Sequence, residues 1–448
     1  MDLAFLPPHL AERSHLLRDK PTIHRGNFVL YWTHHALRTD ENPALDVARL
    51  TAQKLDLPLL VYQGLSPHYR FASDRHHTFM LEGARDLQQQ YRQLDISYEF
   101  SLQRHSRSDP RLKERTATAA VLVTEDFPLE PTMLWTNRLA ECTTTPIILV
   151  DTACVLPSRR IGRAFDRAFE YRQATIGQYL DRIPRPWPRT DSQPKRFTGP
   201  IEAEFDLASI DLSELVAQCE IDHTVGPVHH TRGGSSAGME RWAVFQKNGL
   251  KRYADRRNSA EIDGTSRMSA YLHYGMMSPM RLAREAHALG AEKFLDELLI
   301  WRELAYTFCH YRPDVDSLDA IPGWARATLN AHANDPREAV YSWETTALAR
   351  TGNEFWDACQ RSLIKHGELH NNLRMTWGKA LLDWTKSPLS ARTYHRSESS
   401  LRSTVAIRLP TAASSGAWAN SIARLSRSNK YRHSPASPHQ RTPENDFD

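Results

Sequence analysis

The chain has 448 residues, 40% apolar and a quarter charged, with 57 Lys and Arg against 53 Asp and Glu for a net charge of +4. This is the balance of a globular protein of two or three domains, and it argues against a disordered or fibrous chain. No run approaches the roughly 18 apolar residues of a membrane helix, so no membrane partner is expected, while the mild basic excess permits a nucleic-acid partner.

The N-terminus, Met1-Asp-Leu-Ala-Phe-Leu-Pro-Pro8, has neither a basic stretch ahead of an apolar one nor a small-residue cleavage site. An intracellular, cytoplasmic protein is the expectation. Five cysteines, at 142, 154, 219, 309 and 359, are far apart and without metal-ligand spacing. They read as reduced structural thiols, with no metal site. Nothing suggests a repeat or a coiled coil, so a monomer is the default.

The first third alternates strands and helices. Asn27 to Trp32, Leu57 to Tyr62, Ile96 to Phe100, Ala119 to Val123 and Pro146 to Val150 have the apolar content of buried strands. Between them, Asn42 to Leu55 and Arg75 to Leu94 show helical periodicity, with Pro43 in the first turn where its missing N–H costs nothing. This pattern predicts an α/β domain over 1–155: a mainly parallel, Rossmann-like sheet covered on both faces. No glycine fingerprint or Walker loop follows a strand, so an ordinary dinucleotide or nucleoside triphosphate site is unsupported. Residues 156–235, with Pro157, Pro184, Pro186, Pro188 and Pro194, read as a linker containing short helices. Beyond 236 the strands cease. Segments 239–258, 279–289, 291–311, 340–350, 353–366 and 368–385 all have helical patterning, giving a second, mostly α-helical domain over 236–390.

The helical half carries the chemistry. In Phe294-Leu-Asp-Glu-Leu-Leu-Ile-Trp-Arg302, Glu297 and Trp301 are four residues apart, so an α-helix places them on one face about 6 Å apart along its axis. A carboxylate beside an indole suits an aromatic, hydrogen-bonding ligand such as a nucleobase, although in isolation a buried Trp and a solvated Glu is the commoner arrangement. Gly264-Thr-Ser-Arg-Met-Ser269 is a hydroxyl-rich turn entering a helix, either a phosphate cradle or simple capping. Tyr253-Ala-Asp-Arg-Arg-Asn258 adds two guanidiniums and an amide. Trp377 and Trp384, seven apart, share a helical face; Asn371, Arg374 and Met375 lie a turn or so earlier on that helix, and Trp356 on the helix just upstream. Such a stripe is usually core; beside a phosphate-type turn it suggests a buried conjugated cofactor served by a chain of indoles.

Several long motifs occur in order: Tyr31-Trp-Thr-His-His-Ala-Leu-Arg-Thr-Asp-Glu-Asn-Pro-Ala-Leu45, Arg75-His-His-Thr-Phe-Met-Leu-Glu-Gly83, the Thr265–Ser278 turn, Glu297–Phe308 and the 367–384 helix. Through them the chain resembles the class II cyclobutane pyrimidine dimer photolyases of the photolyase/cryptochrome superfamily, from about Gly26 to Pro388. The resemblance implies an antenna-type α/β domain and a helical domain that binds FAD. It implies light-driven repair of UV-damaged DNA, by electron transfer from excited reduced FAD to a flipped-out pyrimidine dimer. Thr265, Ser266, Arg267, Met268 and Ser269 match its flavin-phosphate turn. Tyr253, Arg257 and Asn371 match positions lining the flavin, with Arg374 a further candidate. Glu297, Trp301, Asn258 and Met375 match the residues that hold the dimer, and Trp377 and Trp356 the electron-transfer tryptophans, with Trp384 a neighbouring branch. On this reading Glu297 is protonated by burial beside Trp301 and donates a hydrogen bond to the dimer. Arg256 and Arg302 are candidates for DNA phosphate contacts. An antenna chromophore fits the first domain, but no motif chooses one. A cryptochrome-like photoreceptor is the alternative, disfavoured by the Glu297/Trp301 pair, and a (6-4) photolyase is weaker still.

The resemblance ends at Pro388. Residues 391–448 are rich in Ser and Arg with little periodicity, and composition alone predicts disorder. Ser397-Glu-Ser-Ser-Leu-Arg402 can be encoded as TCT GAA TCA TCG CTA CGC, which one base later reads Leu-Asn-His-Arg-Tyr, the start of the segment expected there. Permitted codons for 403–423 in the third frame yield further expected motifs in order. The expectation is a frameshifted tail, which would remove a partner for Arg257 and leave that cation buried and unpaired; an inactive product of a frameshifted gene is then a further alternative to repair.

Overall fold

Runs of apolar residues that are buried on both faces need helices above and below them, and the first third of the chain is built that way. In this computed structural model, which describes residues 2–17, 26–69, 71–105, 110–201, 205–315, 317–388, 390–391 and 393–394, seven strands form one sheet. They are β1 (Ser14–Leu16), β2 (Val29–Trp32), β3 (Pro58–Leu65), β4 (Ser97–Leu102), β5 (Val121–Glu125), β6 (Ile147–Val150) and β7 (Lys195–Arg196). Their order is β1-β6-β5-β2-β3-β4, with β7 beside the start of β3; all pairs are parallel except β1 with β6. Residues of β2 stand between the two neighbours in step: Tyr31 faces Val61 on one side and Val123 on the other. The tail beyond 394, and the frameshift expectation attached to it, lie outside the described residues.

The helix Pro43–Leu55 begins where expected. The Asn42 side chain accepts the Ala44 and Leu45 N–H groups, and Asp56 ends the helix in the left-handed region at φ 55°. β1 and β7 are additions the sequence pattern did not suggest, being three and two residues long.

After the edge strand β1, the chain enters the sheet centre at β2, moves outward through β3 and β4, then crosses to β5 and β6, so β2 and β5 flank a topological switch point. Here that end of the sheet serves as a dock for the helical half. The fully buried Glu125 carboxylate accepts the Tyr31 hydroxyl at 2.7 Å and the His34 N–H at 3.1 Å, fixing the loop after β2. That loop meets the turn at Gly275: Arg38 donates to the Gly275 carbonyl at 2.8 Å and to the Thr152 carbonyl at 3.0 Å. Gly275 has φ 61°, and a Cβ there would stand 2.0 Å from the His35 carbonyl oxygen, so only glycine fits.

The 156–235 region is more structured than a linker. It holds the 15-residue helix Ala168–Arg182, β7 and the helix Leu212–Ala217, whose Leu215 and Val216 pack under the Asp74–Gln93 helix. The second half is helical as expected, with helices that include Ser235–Asn248, Tyr253–Arg256, Pro279–Ala288, Gly323–Ala331, Glu354–His366 and Asn371–Asp383. Asn353 caps the Trp356 N–H at the start of Glu354–His366, and Gly367 at φ 65° ends it.

Candidate functional site

The stretch 292–311 folds as one helix of two kinds. Glu292–Leu295 and Arg302–Tyr311 are α-helical, but Asp296–Trp301 between them is a π turn. Such turns are often found at functional sites. Phe294, Leu298 and Leu299 are buried, as the apolar spacing predicts. Trp301 is 40% exposed, so its indole presents a face to solvent.

The burial expected for Glu297 is not found. Its side chain is 28% exposed and stands between two cations, with Arg257 Nη2 at 2.8 Å and Lys293 Nζ at 2.9 Å from the same oxygen. It is therefore an ion-pair acceptor in this arrangement. The same contact corrects the expectation that Arg257 stands unpaired. Sequence reasoning missed Lys293, although a cation four residues before an acid on a helix is a legible pairing.

Four segments converge around this pair. The Arg257 guanidinium lies over the Tyr253 ring at 5.8 Å, and Tyr253 packs edge-on against Phe294 at 5.5 Å. Burial raises the Tyr253 phenol above its usual pKa. His370 bonds the Arg257 carbonyl at 2.9 Å, and the Asn372 amide donates to the Asn258 carbonyl at 2.8 Å, tying the 253–258 segment to the start of Asn371–Asp383. Arg374, half-buried, donates to Asn371 Oδ1 at 2.9 Å. Burial lowers the Arg374 pKa. Met375 is half-buried one residue further on. Gly264 brings in the fourth segment, since a Cβ there would lie 2.6 Å from the Arg256 carbonyl oxygen.

That turn has the makings of an anion cradle in its backbone and hydroxyls. Arg267 adopts the left-handed conformation at φ 54°, and the Thr265 and Ser269 hydroxyls make no hydrogen bond to protein among the described residues. The Ser266 hydroxyl accepts the Met268 N–H at 3.3 Å. The Arg267 guanidinium is shared by Asp263 at 3.3 Å and Glu368 at 3.2 Å. Met268 is 1% exposed and its side chain belongs to the core, so only its backbone can meet a phosphate. The donor set, hydroxyls and a cation on a positive-φ turn beside an aromatic and two guanidiniums, fits a flavin dinucleotide.

Behind this region lie the indoles. Trp356 and Trp377 are buried and stacked at 5.8 Å with an interplanar angle of 11°, and Trp384 meets Trp356 edge-on at 5.5 Å. Trp356 Nε1 donates to the Trp377 carbonyl at 2.9 Å and Trp377 Nε1 to Gln360 at 3.1 Å, which fixes both rings. Gln360 carried no sequence signal; it is identified only by being fully buried against Trp377.

One proposed contact is displaced. Arg302 donates to the Ala153 carbonyl at 2.7 Å and lies over the Tyr306 ring at 4.5 Å, so it ties the helix to the 151–156 segment instead of facing a DNA phosphate. Arg256, by contrast, makes no side-chain hydrogen bond or ion pair among the described residues. Among those residues, no group of three His, Cys, Asp or Glu is placed to hold a metal ion, and no helix is long and apolar enough to cross a membrane.

Residues 29–175 match the DNA photolyase family model and residues 294–386 the FAD binding domain of DNA photolyase. The chain is 31% identical over 389 residues to a deoxyribodipyrimidine photo-lyase of Methanothermobacter thermautotrophicus, covering 85% of this chain and 83% of that one. It is 29% identical over 374 residues to a deoxyribodipyrimidine photo-lyase of Potorous tridactylus, covering 81% and 68%. The fold resembles that of a class III photolyase from Agrobacterium tumefaciens, with a TM-score of 0.67 at 17% identity over 90% of this chain and 81% of that one. It also resembles an archaeal photolyase from Sulfolobus tokodaii that holds two FAD molecules, one implicated in light harvesting, with a TM-score of 0.63 at 15% identity over 88% and 82%.

Proposed function

We propose that this chain, which belongs to the DNA photolyase family, repairs cyclobutane pyrimidine dimers in UV-damaged DNA under blue light, and that it is of the class II form. The observation that carries the reading is the convergence of Glu297 and Trp301 with Arg257, Asn258 and the Asn371–Asp383 helix, backed by the stacked Trp356 and Trp377. When bound, reduced FAD supplies the photoexcited electron that opens the cyclobutane ring.

The chain's own residues bind, orient and shield. Tyr253, Arg257, Asn371 and Arg374 would line the flavin, and the 265–269 turn would hold its phosphates through backbone N–H groups, Thr265, Ser266, Ser269 and Arg267. The exposed Trp301 indole offers a stacking face to bases that have left the duplex, an excursion a lesion makes cheaper. The carbonyls of a dimer are acceptors and require donors. Arg257, Lys293 and Asn258 bring N–H groups to that place, and Glu297 orients the two cations through its ion pairs. Met375 packs against the bases. Trp377, Trp356 and Trp384 would be the path for electrons toward a bound flavin, and Arg256 contacts backbone phosphate. The class II assignment rests on the sequence pattern of the 367–384 helix and on an indole pair drawn from Glu354–His366 and Asn371–Asp383.

The test is incubation of the full chain with a dimer-containing oligonucleotide and a reductant, under blue light and in darkness. Light-dependent return of two thymines is the expected outcome. Absence of repair by chain loaded with reduced FAD would overturn the reading.

A further inference from the structure

Glu303 lies on the same helix as Glu297, six residues on, and is fully buried. It accepts the Val155 N–H at 2.7 Å, the Leu156 N–H at 3.2 Å and the Tyr179 hydroxyl at 2.8 Å. The Tyr179 oxygen is also 3.1 Å from the Leu299 carbonyl and 2.8 Å from the Tyr171 hydroxyl. Leu299 belongs to the π turn that carries Glu297 and Trp301.

The number of protons decides what this cluster can do. A phenol has one proton and can donate to one acceptor. Tyr171 can donate into Tyr179, but the Leu299 carbonyl and an ionised Glu303 can only accept. With Glu303 ionised, Tyr179 must serve one and leave the other without its hydroxyl donor, in a buried site where that matters. With Glu303 protonated, the carboxyl donates to Tyr179, Tyr179 donates to Leu299, and all groups are served.

We infer that Tyr179 and Glu303 form a proton switch that positions the Glu297–Trp301 turn. Protonated Glu303 frees the Tyr179 hydroxyl to hold the Leu299 carbonyl; ionised Glu303 takes that hydroxyl away. Both are positioning residues, since neither touches the ligand face. The titratable and charged groups facing Glu303 are Arg302 from its own helix, Cys154 from the 151–156 segment, and Tyr171 and Tyr179 from Ala168–Arg182. Arg302 pulls toward the ionised form but bonds the Ala153 carbonyl and not the carboxylate. Burial outweighs it and the N–H donors, pushing Glu303 up to about 7, so the switch works near neutrality.

The inference rests on the dimer-binding reading of Glu297 and Trp301, and its test separates the two. Infrared titration of the full chain is expected to show a protonated-carboxyl band lost between about pH 6 and pH 8.5, and absent in Glu303→Gln. Over the same range, dark affinity for a dimer-containing oligonucleotide relative to undamaged DNA is expected to fall about fivefold, the worth of one re-assigned hydrogen bond. Glu303→Gln, whose amide donates to Tyr179 at every pH, keeps the low-pH affinity, and Tyr179→Phe keeps the high-pH affinity. A wild-type chain whose band does not titrate, or whose preference for dimer DNA does not change with pH, overturns the switch. Full pH dependence in Tyr179→Phe overturns it too. A chain with no preference for dimer DNA refutes the reading of the Glu297/Trp301 pair. Amide exchange over 297–303 then judges the switch: a pH step removed by Tyr179→Phe upholds it, and no step overturns it.

Discussion

Glu297 stands between two cations with 28% of its side chain exposed, whereas Glu303, on the same helix, is sealed from solvent and held by two backbone N–H groups and a phenol. In the sequence the two acids look alike, each preceded by a charged residue and followed by a leucine in an apolar helical stretch. What separates them is the segment against which each is packed. Glu297 faces Tyr253–Arg256 and the Arg257 that follows, a polar edge open to a ligand. Glu303 faces the 151–156 segment and Ala168–Arg182, where the two halves of the molecule join. Glu297 lies within the π turn and Glu303 in the α-helix that follows it, so the helix changes duty where the π turn ends.

The comparison is broken most severely by Glu303→Ala. It strips three buried donors of their acceptor, and unfolding by urea is expected to show a loss of about 4 kcal/mol. Glu297→Ala should cost under about 1 kcal/mol in the same experiment, because its pairs are partly solvated. Equal losses would mean the two acids are not divided as described. The second effect is on pH. Glu303 is raised from 4.5 unfolded to about 7 folded, so the folded state holds the extra proton between these values. Stability from this group is full below about pH 4.5 and is lost as pH rises toward 7, by up to about 3 kcal/mol. Subtracting the Glu303→Gln unfolding curve from wild type should isolate that slope, and a difference flat from pH 4.5 to 8 would refute it.

Function should follow the other acid. Glu297→Ala is expected to lower light-dependent repair about a hundredfold, by releasing Arg257 and Lys293 from their positions, while the melting temperature barely moves. Repair unchanged within a factor of two would remove Glu297 from the site. The smallest effect sharpens the comparison between two arginines. Arg256→Gln should reduce the salt dependence of DNA binding by about one phosphate contact, and Arg302→Gln, a residue turned into the domain junction, should leave it unchanged.

Sequence patterning determined much of this. Strand and helix order in the first third, the helical second half, the Asn42 and Asn353 caps, and the buried face of Phe294, Leu298 and Leu299 are all consequences of local spacing and chain chemistry. The residues of the candidate site were also legible, because their types in that order form long motifs. Tertiary structure alone decided how they are used. Periodicity assumes an unbroken α-helix, so it could not show the π turn, the exposure of Trp301 or the turning of Arg302 into the junction. Nor could it show that Arg257 finds Glu297, or that Glu303 is buried against a phenol more than a hundred residues earlier in the chain. Local propensity is a property of neighbouring residues, whereas partner choice and the dielectric around a charge are set by whatever the fold packs against it.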